Sequence, residues 1–143
     1  MNITVYTDGA SRGNPGPAGI GVALYDEEGT LLDEYREYLG HTTNNVAEYR
    51  ALVAGLRCAG KYAPCRVRVH LDSELLYFQM TGAYRVKSPH LLGLHRAARA
   101  LAGHFERADF VSIPREQNKV ADRLANEAID LLVAGTMSST EVR

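Results

Sequence analysis

The apolar residues change their spacing partway along the chain, and this narrows its possible folds more than any other feature. Ile3, Val5 and Thr7 alternate with Thr4, Tyr6 and Asp8. After a Gly/Pro loop (GASRGNPGPAG), Ile20, Val22 and Leu24 alternate again. A period of two belongs to a strand with one face buried. A turn at Asp26–Gly29 leads into a third run, Leu31–Leu39, so the first part predicts an antiparallel meander. From Asn45 to Cys58 the period becomes helical, through Val46, Tyr49, Leu52, Val53 and Leu56, with Gly60 and Pro64 closing the segment. Strand-like Arg66–Asp72 (RVRVHLD) and Asp109–Ile113 then alternate with helical stretches at Ser73–Met80, Pro89–Gly103 and Lys119–Val133. Strands that feed helices pair in parallel. The expected fold is α/β: a mixed five-stranded sheet, three antiparallel strands followed by parallel ones, flanked by helices.

At 143 residues the chain is long enough for one domain with a self-sufficient core. The expected domain covers residues 1–134, with 135–143 (GTMSSTEVR) a flexible tail. Sixteen Lys and Arg against seventeen Asp and Glu leave a formal charge of −1, which excludes a polybasic protein that binds by global charge. A local basic face is still compatible with that total. Cys58 and Cys65 form no CxxC pair and no zinc pattern, so they are expected to be reduced thiols. The start of the chain reads as no secretory leader, and no apolar run approaches membrane-span length. The expectation is a cytoplasmic protein with no membrane partner and a monomer as the default state.

Four carboxylates stand at the joints of this pattern. Asp8 precedes Gly9 and alone reads as a turn residue. Glu48, three residues after Asn45, alone reads as half of a capping box. Asp72 suits the N-cap of the helix that follows it, and Asp122 suits the first turn of the last helix. Each has a local explanation; their joint placement does not. If the first and fourth strands are neighbours and parallel, Asp8 and Asp72 fall at the same sheet edge, where open α/β sheets place their sites. Glu48 and Asp122 open the helices that can cover that edge. Four hard oxygen donors without His or Cys suit Mg²⁺ or Mn²⁺. Two such ions would serve an in-line phosphoryl displacement.

The segments around these residues are YTDGASRGNPGPAGIG, TTNNVAEYRAL, VHLDSELL and REQNKVADRLANEA. In this order, each centred on an acid, they resemble a type 1 ribonuclease H over roughly residues 2 to 134. The resemblance implies a metal-dependent endoribonuclease that hydrolyses the RNA strand of RNA–DNA hybrids, leaving 5′-phosphate and 3′-hydroxyl ends. It implies two Mg²⁺ (or Mn²⁺) ions held by Asp8, Glu48, Asp72 and Asp122. It also implies that Asn14, Asn44 and Asn45 read 2′-hydroxyls and base edges in the minor groove, that Thr43 holds a phosphate of the DNA strand, and that Ser11 and Arg12 assist from the same Gly-rich loop. Local explanations stand beside these, since GNPGP also makes a turn and TTNN a helix cap. A non-cutting relative that binds hybrid or double-stranded RNA, and a nuclease of relaxed specificity that includes double-stranded RNA, are the alternative readings.

The chain departs from the family pattern in three places. Many relatives have a histidine in the loop before the last aspartate; this chain reads SIPREQNKVAD there, and Arg115 is the nearest candidate for part of its work. A guanidinium there would supply charge and hydrogen bonds to the scissile phosphate but no proton at neutral pH. Arg115 reads equally as a solvated loop residue; the resemblance places the chain in the branch with Arg in this loop. Glu74 stands after Ser73, where glutamine is common. Finally, Thr81–Leu92 is too short for the basic protruding helix of some relatives. No Asp or Glu occurs from Leu75 to Phe105, while Arg85, Lys87, Arg96, Arg99, His90, His95 and His104 do. From this segregated basic stretch, Arg85 and Lys87 are the expected backbone contacts; Arg96 and Arg99 stay open.

Overall fold

The computed structural model describes residues 1–137. Strands β1 (Asn2–Ser11), β2 (Gly16–Tyr25) and β3 (Leu31–Thr42) precede helix α1 (Asn44–Gly60). Strand β4 (Arg66–Leu71), helices α2 (Glu74–Met80) and α3 (Pro89–Ala102) and strand β5 (Arg107–Ser112) follow, and a 3₁₀ turn at Arg115–Gln117 leads into α4 (Lys119–Met137). The five strands form one sheet in the order β3-β2-β1-β4-β5. The β1–β2 and β2–β3 pairs are antiparallel, and the β1–β4 and β4–β5 pairs parallel. This is the mixed α/β sheet that the change of period predicts. Helix α4 continues through Met137, past the Gly135 at which the sequence suggests a tail; the rest of that segment lies outside the described residues.

The sheet is covered on both faces at its centre. Alternate residues Ile3, Val5 and Thr7 of β1 face α1, and the main core gathers there, from Val5, Leu24 and Val69 to Leu52, Leu56, Leu76 and Met80. Helix α4 packs on the opposite face through Ala121, Leu124, Ala125, Ala128 and Ile129, all buried. Of the residues the helical period turns inward, only Leu132 is partly exposed, and Ile129 takes its place.

Two glycines set how closely these helices approach. A Cβ on Gly21 would lie 2.1 Å from the Ala121 carbonyl oxygen of α4. A Cβ on Gly9 would lie 2.2 Å from the Ala47 carbonyl carbon of α1. Asp8–Gly9 is therefore no turn: β1 continues through both residues, paired with Gly21 and Ile20 of β2. Glycine is needed here because helix backbone presses against strand backbone. Among the described residues, no helix is long and apolar enough to cross a membrane, and both cysteines are free and buried.

Candidate metal centre and nucleic-acid interface

The carboxylate site begins where two strands stop pairing. The parallel β1–β4 ladder ends at Tyr6↔His70. Those two rings stack with centroids 4.6 Å apart and planes 10° from parallel, so they share a face of the sheet. Two residues farther along each strand, on that same face, stand Asp8 and Asp72. Asp8 lies within β1, and Asp72 follows the last residue of β4. Ser73, not Asp72, caps α2, its hydroxyl accepting the Leu76 amide at 3.2 Å. Asp72 is thereby left out of the cap.

Glu48 reaches the site from α1. Thr43 caps that helix, accepting the Val46 amide at 3.3 Å, so the expected capping box with Asn45 does not form. Glu48 Oε1 instead accepts the Gly9 amide at 2.7 Å, which orients the carboxylate toward Asp8. One oxygen each from Asp8, Glu48 and Asp72 lies within 4.8 Å of the others. Asp122 stands outside that triad but beside Asp8, in the first turn of α4. Glu74 is exposed in the first turn of α2 and outside the group.

The electrostatics follow from that crowding. Burial pushes the Asp8 carboxyl well above the carboxylate range, and Glu48, Asp72 and Asp122 push it further. Burial likewise raises Glu48, with Asp72 adding to the shift, while the Gly9 amide and Arg115 act against it. Burial also raises Asp72, against the hydrogen bond from Asn118 and the charge of Arg115. Arg115 is thus near enough to act on two carboxylates from the exposed 3₁₀ turn. Clustered acids with hard oxygen donors and no offsetting buried cation fit a divalent ion such as Mg²⁺ or Mn²⁺.

The predicted substrate readers separate into two groups. Asn14, Thr43 and Asn45 line one open cleft together with Thr42, Ser88 and His90. Asn14 Oδ1 accepts the Asn44 amide at 3.0 Å, which ties the β1–β2 loop to the start of α1. Ser11 and Arg12 lie outside that cleft's lining and make contacts within the fold. The Ser11 hydroxyl meets the Thr42 carbonyl at 3.0 Å and also the Gly13 carbonyl. Arg12 pairs with Asp130 at 2.7 Å and reaches the Asn126 carbonyl and side-chain oxygens, each at 3.3 Å. Arg85 and Lys87 are exposed on either side of buried Val86, in a link from Thr81 to Ser88 that contains no helix. Arg99 is committed elsewhere, donating to the Met80 carbonyl at 2.9 Å.

Sequence reasoning missed two site residues, Ser88 of the cleft and Asn118 beneath Asp72. Asn118 is buried and donates to the Asp72 carboxylate. Its only sequence signal is its place one turn before Asp122. A separate cleft, lined by Asn2, Arg66, Arg68, Arg107 and Asp109, lies at the opposite end of β1 and β4 from the carboxylates.

The family model described as reverse transcriptase-like matches residues 6–128. A protein of Mycobacterium tuberculosis named a bifunctional protein is 47% identical over 131 residues, which are 91% of this chain and 36% of that protein. The chain therefore spans about a third of the length of these mycobacterial relatives. The ribonuclease HI of Halobacterium salinarum is 41% identical over 128 residues, 90% of this chain and 64% of that one. A crystal structure of RNase H1 from that archaeon superposes with a TM-score of 0.88 at 40% identity, covering 91% of this chain and 98% of the other. The structure of LC11-RNase H1 in complex with an RNA/DNA hybrid gives 0.87 at 46% identity, covering 92% and 99%.

Proposed function

The chain belongs to the ribonuclease H-like family, and on that premise we propose that it is a divalent-metal-dependent endoribonuclease acting on RNA–DNA hybrids. The observation that carries the proposal is the meeting of Asp8, Glu48 and Asp72 oxygens within 4.8 Å at the end of the β1–β4 ladder. The hybrid bound to LC11-RNase H1 supports the choice of substrate.

In this reading Asp8, Glu48, Asp72 and Asp122 hold two Mg²⁺ or Mn²⁺ ions with the hybrid bound. When present, those ions supply an activated water and Lewis acidity at the scissile phosphate, leaving 5′-phosphate and 3′-hydroxyl ends. The chain's own contribution is orientation and charge. The Gly9 amide fixes Glu48, and Asn118 fixes Asp72. Arg115 places a positive charge beside both, where a phosphate would meet it, and does the electrostatic part of the work of the loop histidine of other relatives, without its proton transfer. Asn14, Asn44 and Asn45 meet the minor groove, where an amide can both donate to and accept from a 2′-hydroxyl. Thr43 takes a phosphate of the DNA strand; Arg85 and Lys87 take backbone phosphates farther out. The protein acts as a monomer in the cytoplasm.

The test is product mapping. A hybrid labelled at either RNA end should be cut internally with Mg²⁺, giving 5′-phosphate and 3′-hydroxyl termini, and should stay whole in EDTA. Cutting that persists in EDTA would overturn the metal assignment. Stable binding without any product would favour the non-cutting relative.

A further inference from the structure

Asn118 is 1% exposed, yet it sits among the acids of the site. Its Nδ2 donates to the Thr7 carbonyl at 2.9 Å and to Asp72 Oδ2 at 2.8 Å. Both partners accept, so only the amino end of the amide can face them, and its two hydrogens are both used. The Oδ1 atom is buried with no hydrogen-bond partner among the described residues. An unpaired buried oxygen is a cost that a merely structural residue at this position would not need to carry.

The placement explains what that cost secures. Beyond Tyr6↔His70 the β1–β4 ladder has ended, and nothing in the sheet fixes Asp72 relative to the strand that carries Asp8. Asn118 spans that gap, bonding β1 one residue before Asp8 and Asp72 one residue after β4. Its carbonyl accepts the Asp122 amide at 3.1 Å, so the same residue also seats the first turn of α4. By taking Oδ2 of Asp72, it leaves Oδ1 of that carboxylate uncommitted.

We infer that Asn118 is the positioning residue of the carboxylate site, setting the orientation of Asp72 and its separation from Asp8 so that the two present oxygens to one ion. It touches no substrate and acts only through Asp72 and the strand of Asp8. The inference rests on the metal-nuclease reading and deepens it.

The test uses Mn²⁺ binding to the full chain without nucleic acid, followed by electron paramagnetic resonance, alongside melting in EDTA and hybrid cleavage. Asn118→Ala removes both donors; Asn118→Ser keeps one donor in case the alanine variant folds poorly. Tyr49→Phe removes another buried hydrogen bond, to Gln79 at 2.7 Å, and serves as the stability control. Asn118→Ala should weaken Mn²⁺ binding roughly tenfold or more, the usual effect of losing a residue that orients a ligand. It should raise the Mg²⁺ concentration for half-maximal cleavage by a similar factor while KM for hybrid stays within about twofold. Asn118→Ser should fall between it and the wild type, and Tyr49→Phe should melt lower with unchanged Mn²⁺ binding. If Asn118→Ala or Asn118→Ser melts lower but binds Mn²⁺ like the wild type, the positioning role is overturned. Wild-type protein that cleaves hybrid with Mg²⁺ yet shows no loss of Mn²⁺ binding in either variant overturns this inference alone. Wild-type protein that neither binds Mn²⁺ nor cleaves overturns the metal reading with it.

Discussion

The amide of Gly9 donates to Glu48 Oε1 at 2.7 Å, where β1 runs so close to α1 that a Cβ on Gly9 would meet the Ala47 backbone. The hydrogen bond and the close contact depend on each other. Only a strand residue without a side chain lets α1 come near enough for its second turn to deliver a carboxylate to the sheet edge.

Gly9→Ala is therefore expected to damage fold and site together. A methyl group 2.2 Å from the Ala47 backbone must displace α1, at a cost of roughly 3 kcal/mol or more, and the shift carries Glu48 away from Asp8. Thermal unfolding and hybrid cleavage of the variant check this. An unchanged melting temperature would contradict the packing described.

Asp8→Asn should abolish cleavage yet stabilise the metal-free protein. Asp8, Glu48 and Asp72 are all raised in the fold, chiefly by burial; Glu48, Asp72 and Asp122 add to the shift of Asp8, Asp72 to that of Glu48, and Asp122 to that of Asp72. A carboxyl raised above its unfolded value contributes stability that is fully present below that value, about pH 4, and lost as pH rises through the folded value. In EDTA this contribution therefore shrinks from mildly acid toward alkaline pH, and Mg²⁺ should offset the loss. At neutral pH without metal, Asp8→Asn should melt higher than the wild type by about 4 °C, for roughly 1–2 kcal/mol of relieved repulsion and burial. Melting curves across pH, with EDTA and with Mg²⁺, test the sign. Identical curves for the two proteins in EDTA would contradict it.

Removal of the Arg115 charge should act on turnover more than on binding. The guanidinium lowers both Glu48 and Asp72 from an exposed turn, as expected of a group that also meets the scissile phosphate. Arg115→Ala is expected to reduce kcat roughly tenfold to a hundredfold with a smaller change in KM, and Arg115→Lys to recover part of the loss. Steady-state kinetics on a hybrid decide this; unchanged kcat would make Arg115 a solvated loop residue.

Much of this architecture is legible because its signals are local. Alternation in β1, β2 and β3 and helical spacing from Val46 to Leu56 declare the elements, and strands feeding helices declare parallel pairing. Together they bring Asp8 and Asp72 to one edge. What was not legible depends on distant partners. Gly9 after Asp8 has the local form of a turn, and only α1, 39 residues on, makes it a contact point. Asn118 has no local mark of its role, since its bond to Thr7 spans 111 residues. The TTNN segment does cap α1, through Thr43, but the cap roles that Glu48 and Asp72 suit locally go to Thr43 and Ser73, which leaves both acids for the site. The pairing of Arg12 with Asp130, far along the chain, likewise has no local signal, since it depends on α4 passing beside the loop.

The proposed function requires the carboxylate cluster and the asparagine-lined cleft together to make a hybrid-specific nuclease. The direct measurement is Mg²⁺-dependent cleavage by the wild type of one sequence prepared as RNA–DNA hybrid, double-stranded RNA and double-stranded DNA. Rapid cutting of the RNA strand of the hybrid is expected, with at least about a hundredfold slower cutting of double-stranded RNA and none of DNA. Preference for double-stranded RNA, or equal cleavage of all three duplexes, would contradict it.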